Sequence, residues 1–376
     1  MLERIKNMLI KEFLQLFRDP RMRSILLVVP IFQTLIFGYA VTTDVRNIRT
    51  AVYDLDNSPA SREVADAFGQ SGYFNIDYHI DNDKDAQYLL DSGKVLTIIR
   101  MNQGFQGDLL SGTPAPLQVI IDGTDGNSAR IIQDYVGKIT AHLSQNIVLD
   151  TFSKQHGPLK DNIAIQVDSR AWFNEELESR NYFIPGIIST ILTLVTLTMT
   201  SMSIVREKEI GTMEQILVTP IKKIEFILGK SVPFSLIAIF DVIAIMTVAA
   251  FWFEVPIRGS LLVMFIAVGC YLLTILGVGF FISSISYTQQ QALMGTFFFY
   301  FPMVLLSGFL FPIANMPEAI QWITYLNPLR YFVTIIRSVF LKGVGLEILW
   351  PQMIVLAMMG LFTIGLATRR FHKTLT

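Results

Sequence analysis

Six separate stretches of this chain are long and apolar enough to cross a bilayer, and that pattern limits its fold more than any motif does. The hydrocarbon core of a membrane is about 30 Å thick, so a spanning helix needs about 20 mostly apolar residues. Ser24–Thr43, Tyr182–Val205, Ser231–Phe253, Ser260–Ile285, Gln291–Phe311 and Glu347–Thr368 meet that requirement. Composition agrees: 52% of the 376 residues are apolar and 16% are charged, against about 25% charged in ordinary soluble domains. A disordered chain is excluded on those figures, and a purely soluble one is disfavoured. The first stretch is read as a permanent anchor. Twenty-three residues precede it, and Ala40-Val41-Thr42 is a poor signal-peptidase site. Between the first and second stretches runs a polar segment, 44–180, long enough for one globular domain. The expected fold is therefore a polytopic α-helical membrane protein with six transmembrane helices plus one extracytoplasmic α/β domain.

Lysine and arginine placement sets the orientation. Arg4, Lys6, Lys11, Arg18, Arg21 and Arg23 precede the first stretch, Arg206, Lys208, Lys222, Lys223 and Lys230 follow the second, and Arg369, Arg370 and Lys373 end the chain. The short loops on the opposite side hold only Arg258, Arg330, Arg337 and Lys342. Both termini are thus expected in the cytoplasm and 44–180 outside. That outer segment is acidic, with 20 acids against 12 bases, and long translocated domains escape the positive-inside count. A net charge of −1 leaves no electrostatic footprint for nucleic acid. The one cysteine, Cys270, lies in an apolar stretch, which excludes an intrachain disulfide and a multi-cysteine zinc site.

Within the outer segment, Thr50–Asp56 starts as an apolar strand and Ser58–Gln70 has serine caps and helical spacing at Val64, Ala67 and Phe68. Phe74–Ile80 alternates, predicting a strand with Phe74, Ile76, Tyr78 and Ile80 on one face. Lys84–Leu90 reads as a short helix, Lys94–Arg100 and Leu117–Asp122 as strands, Asn127–Phe152 as a long helix and Ile163–Asp168 as a last strand. This alternation predicts a mixed sheet covered by helices. Asp54, Asp56, Asp122 and Asp125 near strand ends raise a divalent-metal cluster as one reading; turn and cap chemistry is the preferred one. His79, His142 and His156 have no ligand spacing, and no hydrolase or metalloprotease motif occurs.

On the cytoplasmic side, Leu2, Ile5, Leu9, Phe13, Leu16 and Phe17 fall near one helical face, as in a helix lying in the membrane interface. Pro20 ends it. Such a helix either anchors the chain or also touches a cytoplasmic partner. The loop Arg206–Lys230 begins with alternating acids and bases, and Gly211 and Pro220 bound a short helix in it, which is more structure than a tether needs. Gly229-Lys230-Ser231 is not a phosphate loop, because the required earlier glycine is Ile224 and no strand precedes it. No ATP hydrolysis is expected from this chain itself.

The segments KEFLQLFRDPR (11–21), VYDLDNS (52–58), IDGTDGNSA (121–129), REKEIGTMEQILVTPIKKIEFILGK (206–230) and FPIANMPEAIQWITYLNPLRYFVTIIRSVFLKG (311–343) resemble permease subunits of bacterial type-2 ABC exporters, in the group with a large extracytoplasmic domain after the first span. The resemblance covers essentially the whole chain. It implies a cytoplasmic interfacial helix over 1–23, a first span over 24–43 and an extracytoplasmic domain over 44–180. A five-helix permease domain follows over 181–376, with a coupling helix at about 206–220 and re-entrant helices at about 312–346. It also implies that Glu207, Glu209, Gly211, Thr212, Glu214 and Gln215 dock on an ATPase subunit. Thr219, Pro220, Lys223, Glu225, Gly229 and Lys230 would shape the return into the third span, and Arg18, Asp19 and Pro20 would flank the ATPase. The implied partners are cytoplasmic ABC ATPase subunits, a second identical or sister permease chain, the inner-membrane bilayer and an optional periplasmic adaptor. No cofactor is expected on this chain, ATP and Mg being used by the ATPase.

Inside the second span, Thr193, Thr196, Thr200 and Ser203 form one stripe, read either as packing between helices or as the wall of a translocation path. Asp241 is the clearest acid within a predicted membrane core, poised either to meet a cationic substrate or to pair with a buried polar group. Two rival functions stay open on sequence alone. An ion-gradient-driven secondary transporter would need internal repeats and several buried ionisable groups. A membrane-anchored sensor or scaffold displaying the outer domain would not need five further spans.

Overall fold

The structure is a computed structural model describing residues 2–18, 28–40, 47–156, 172–175, 178–213 and 223–370. It forms two compact units, Met1–Thr42 with Arg170–Thr376, and Thr43–Ser169. In chain order, helices α1 (Leu2–Arg18) and α2 (Val29–Ala40) belong to the first unit.

The second unit contains β1 (Ile48–Asp54), α3 (Pro59–Gln70), β2 (Phe74–Ile80), α4 (Asp83–Asp91), β3 (Thr97–Met101), α5 (Phe105–Ser111), β4 (Leu117–Ile121) and α6 (Gly126–His156). The strand order is β2-β1-β3-β4, with β1 parallel to both neighbours and β4 antiparallel to β3. Alternation along β1 sends Ile48 and Val52 to one face, against Val64, Phe68, Phe105 and Ile132, and Ala51 and Tyr53 to the other, against Ala86 and Leu89. Ser58 starts α3 with a capping box that uses Ser61.

The predicted face of β2 needs correction. The register with β1 passes from Thr50↔Ile76 to Ala51↔Tyr78, so Asp77 is an extra residue. A bulge of this kind shifts the side-chain alternation. Phe74 and Ile76 therefore pack on the α3 side while Ile80 packs on the α4 side. The aspartates work as turn and cap residues. Asp54 accepts from the backbone of Asp56 and Asn57 and from Ser61 Oγ. Asp56 accepts from the backbone N–H of Gly104 (2.8 Å) and Gln106 (3.0 Å), capping α5 from fifty residues away. Asp122 accepts from both Thr124 donors, and Asp125 from Ser128 Oγ. The expected strand Ile163–Asp168 lies outside the described residues.

The first unit is mostly helical: α7 (Ser179–Ile210), α8 (Lys223–Phe251), α9 (Leu261–Ile285), α10 (Gln289–Leu305), the short α11 (Glu318–Thr324) and α12 (Pro328–Arg337), and α13 (Leu346–Arg370). Among the described residues, four helices are long and apolar enough to cross a membrane: Ser179–Ile210, Glu225–Phe251, Leu261–Ile285 and Leu346–Arg370. The first expected span is described as a 12-residue apolar helix, α2, and the fifth as the 17-residue α10. Helix α7 is the centre of this unit. A Cβ on Gly279 of α9 would lie 1.8 Å from Thr200 Oγ1 of α7, so only glycine permits that approach. Tyr271 of α9 stacks on Phe332 of α12 at 4.0 Å. The guanidinium of Arg337 lies over the Tyr182 ring and donates to the carbonyls of Gly308 and Phe309, fixing α12 to the start of α7.

Candidate functional site

The end of α7 carries a run of charges, Glu207-Lys208-Glu209, and each side chain ties that end to a different part of the chain. Glu207, only 4% exposed, accepts from Lys11 Nζ of α1 at 2.9 Å and from Lys230 Nζ of α8 at 3.4 Å. Lys208 Nζ donates to the carbonyls of Ser284 and Ser286, where α9 ends. Glu209 accepts from the backbone N–H and the side-chain amide of Gln289, the first residue of α10.

Lys230 is the hub of the buried part. It is 1% exposed, sits one turn inside the apolar run of α8, and donates to Glu12 of α1 at 2.9 Å and to the Ser203 carbonyl at 3.4 Å. Glu12 is 4% exposed. Taking an ion out of water costs several kcal/mol, so buried charges persist only when paired and hydrogen-bonded. Here Lys11 and Lys230 stand against Glu12 and Glu207, and each carboxylate has a cation. The close fit of α1 on α8 depends on Gly229, whose added Cβ would meet Met8 Sδ at 2.7 Å. The buried face of α1 accordingly runs through Met8 and Glu12, while Leu9 and Phe13 of the expected apolar face are only half-buried.

The structure places the expected coupling residues unevenly. Thr212 donates its hydroxyl to Glu207, and Gly211 ends α7 with a left-handed φ of 79°. Arg18 is exposed at the end of α1. Lys223 opens α8, and Glu225 on its first turn is buried. Asp19, Pro20, Glu214, Gln215, Thr219 and Pro220 lie outside the described residues. The Glu207 carboxylate is buried among two lysines and a threonine, where it holds helices together within the chain.

Thr193, Thr196, Thr200 and Ser203 are all buried within the single chain. Thr193, Thr200 and Ser203 donate to carbonyls of their own helix, and Thr193 also meets Tyr271 Oη of α9. Within the single chain, Thr193 and Thr200 sit where α7 packs on α9. Asp241 sits three turns beyond Lys230 along α8, 2% exposed, and its Oδ2 has no hydrogen-bond partner among the described residues. Sequence reasoning missed the Glu12–Lys230 pair. Its signal was present: an acid interrupting the apolar face of α1 and a lysine at the mouth of an apolar stretch.

The charged joint at the end of α7 thus ties that helix to α1, α8, α9 and α10. Residues 21–369 match the family model described as ABC-2 family transporter protein. The chain belongs to that family. It is 32% identical over 364 residues to the probable multidrug ABC transporter permease YbhR of Escherichia coli (strain K12), covering 96% of this chain and 97% of that one. It is 34% identical over 346 residues to the probable multidrug ABC transporter permease YbhS of the same organism, covering 90% and 89%. ABC transporter G family member 20 of Dictyostelium discoideum matches at 22% over 368 residues, which is 96% of this chain and half of that relative. This chain is a permease subunit of an ABC exporter.

Proposed function

We propose that this permease pairs with a second permease chain, identical or a sister, to enclose the path of an exporter driven by separate cytoplasmic ABC ATPase subunits. Those subunits use the ATP and Mg. The coupling segment is 206–220, with Glu214 and Gln215 as its docking positions and Thr219, Pro220 and Lys223 leading back into the membrane. The observation that supports this most is the three-way tie at Glu207, Lys208 and Glu209. A push delivered just beyond Ile210 is shared at once by α1, α8, α9 and α10, so closure of an ATPase dimer has a rigid element to act on. Glu207 and Glu209 serve by holding that element, and Arg18, Asp19 and Pro20 flank the ATPase.

The reading includes six spans, of which 24–43 is not described at full length and 291–311 holds a 17-residue helix followed by a turn. Both termini are cytoplasmic, the acidic 44–180 domain is outside the inner membrane and free to meet a periplasmic adaptor, and 312–346 re-enters from outside. Asp241 is kept as a path residue for cationic substrates. The multidrug description of the two Escherichia coli relatives suggests varied hydrophobic small molecules as cargo. The test is Glu214→Arg in the intact complex. Membrane insertion is expected to be unchanged while ATP-dependent efflux of ethidium falls at least tenfold; unchanged efflux would remove the docking assignment.

A further inference from the structure

We infer that the groove between α8, α9 and α13 holds one anionic phospholipid of the leaflet nearest the charge cluster. The groove has a volume of about 640 Å³ and is walled by leucines and isoleucines, among them Leu228 and Leu236 of α8 and Leu272 and Leu276 of α9. Along α8 it runs from Ile227 to Ile239, a rise of about 18 Å at 1.5 Å per residue. That length is close to half of a hydrocarbon core about 30 Å thick, the depth of one leaflet. Leu228 and Leu236 are 42% and 50% exposed, so the groove opens sideways, where membrane lipid is the surrounding solvent.

Two glycines keep it open. A Cβ on Gly269 of α9 or Gly365 of α13 would meet nothing within 4 Å, unlike Gly277 and Gly360 on the same helices, which are closed by a neighbour. Apart from Ser235, whose hydroxyl turns back to the Ser231 carbonyl, the polar lining gathers at one end: Arg369, Thr368 and Ser231. Arg369 makes no hydrogen bond or ion pair among the described residues. An unpaired guanidinium at the membrane-surface end of a leaflet-deep apolar groove matches a lipid phosphate above two acyl chains. Interface hydroxyls beside it add neutral contacts, although Thr368 and Ser231 also donate to their own helices. Seated there, the lipid would wedge α8 against α13, two helices that otherwise touch little along this length.

The inference rests on the reading that α8 begins and α13 ends at the cytoplasmic face only for which leaflet supplies the lipid. The experiment needs neither ATPase nor transport, so its failure leaves the exporter reading intact. The full chain is reconstituted in nanodiscs of equal phosphatidylglycerol and phosphatidylcholine, released into mild detergent, and examined by native mass spectrometry. One retained phosphatidylglycerol per chain is expected, favoured over phosphatidylcholine by about fivefold, the worth of one arginine beside an anionic surface. Arg369→Gln is expected to bring that ratio to about one without removing the lipid. Gly365→Phe is expected to remove it, with monodispersity and helix content kept; Gly269→Leu is the second variant if the first fails to fold. Equal retention of the two lipids by the unaltered chain, or lipid undiminished in a folded groove-filling variant, would overturn the assignment.

Discussion

Helix α7 carries two polar regions that satisfy themselves in opposite ways. At its end, Glu207, Lys208 and Glu209 reach across to α1, α8, α9 and α10, to groups between 23 and 196 residues away in the chain. In its middle, Thr193, Thr200 and Ser203 turn back to carbonyls three or four residues away. The reason is chemical. A hydroxyl can borrow its own helix's acceptors without leaving the backbone short. A buried ammonium or carboxylate cannot be neutralised that way and must recruit a counter-charge. Charges inside an apolar helical unit therefore mark joints between distant segments, and hydroxyls mark close packing.

The comparison breaks first at Lys230. Lys230→Met leaves Glu12 without a cation in an apolar setting and is expected to cost about 3–5 kcal/mol, read as thermal unfolding of the detergent-purified chain. Adding Glu12→Leu should recover much of that loss, because Lys11 and Glu207 still balance. If the double variant is as unstable as the sum of the singles, the joint is not electrostatic. Next in size is the packing side. Gly279→Leu forces a side chain into Thr200 and is expected to cost about 1–3 kcal/mol through overpacking, with cluster-dependent protection of α1 against proteolysis unchanged.

A smaller effect sharpens the local side of the contrast in the α/β unit. Donation from Ser58 and the Gln106 N–H holds the Asp56 carboxyl below its usual range, and the Thr124 N–H and hydroxyl do the same for Asp122. A depressed folded-state value contributes stability above the unfolded value of about 3.9 that is lost as pH falls through the folded one. Both groups are half-buried at the surface of the unit, so solvent screening keeps the effect small. Hydrogen exchange of α5 from pH 6 to pH 3 should show protection falling only at the acid end, and Asp56→Asn should flatten that fall. Smallest of all is Thr196→Val. The Thr196 hydroxyl is buried without a hydrogen-bond partner among the described residues, so its removal should leave stability within about 0.5 kcal/mol and efflux unchanged. Loss of efflux would return the stripe to the translocation path.

What the sequence made legible follows the same division. Ser58 before an amphipathic run marked α3 because a capping box is local. The alternation at 74–80 marked β2 to the residue, but not the bulge at Asp77, which exists only in the register with β1. Helix α5 went unread: seven residues between Gly104 and Gly112 carry little periodicity, and its cap, Asp56, comes from another turn. The apolar stretches announced the long helices, since hydropathy sums over many residues. Glu12 and Lys230 were each visible as misplaced charges, yet nothing in one dimension says that they meet. The position of Glu207 at the end of α7 was legible, but its burial among Lys11, Lys230 and Thr212 was not, because burial is a tertiary property.

The central claim is that this permease is moved by fuel consumed in a different subunit. Tagged chain purified from its native membrane in mild detergent should carry an ABC ATPase in one-to-one ratio, and vesicles holding both should export ethidium only with ATP. An ATPase-free preparation of the chain that exports ethidium on an ion gradient alone would contradict the account.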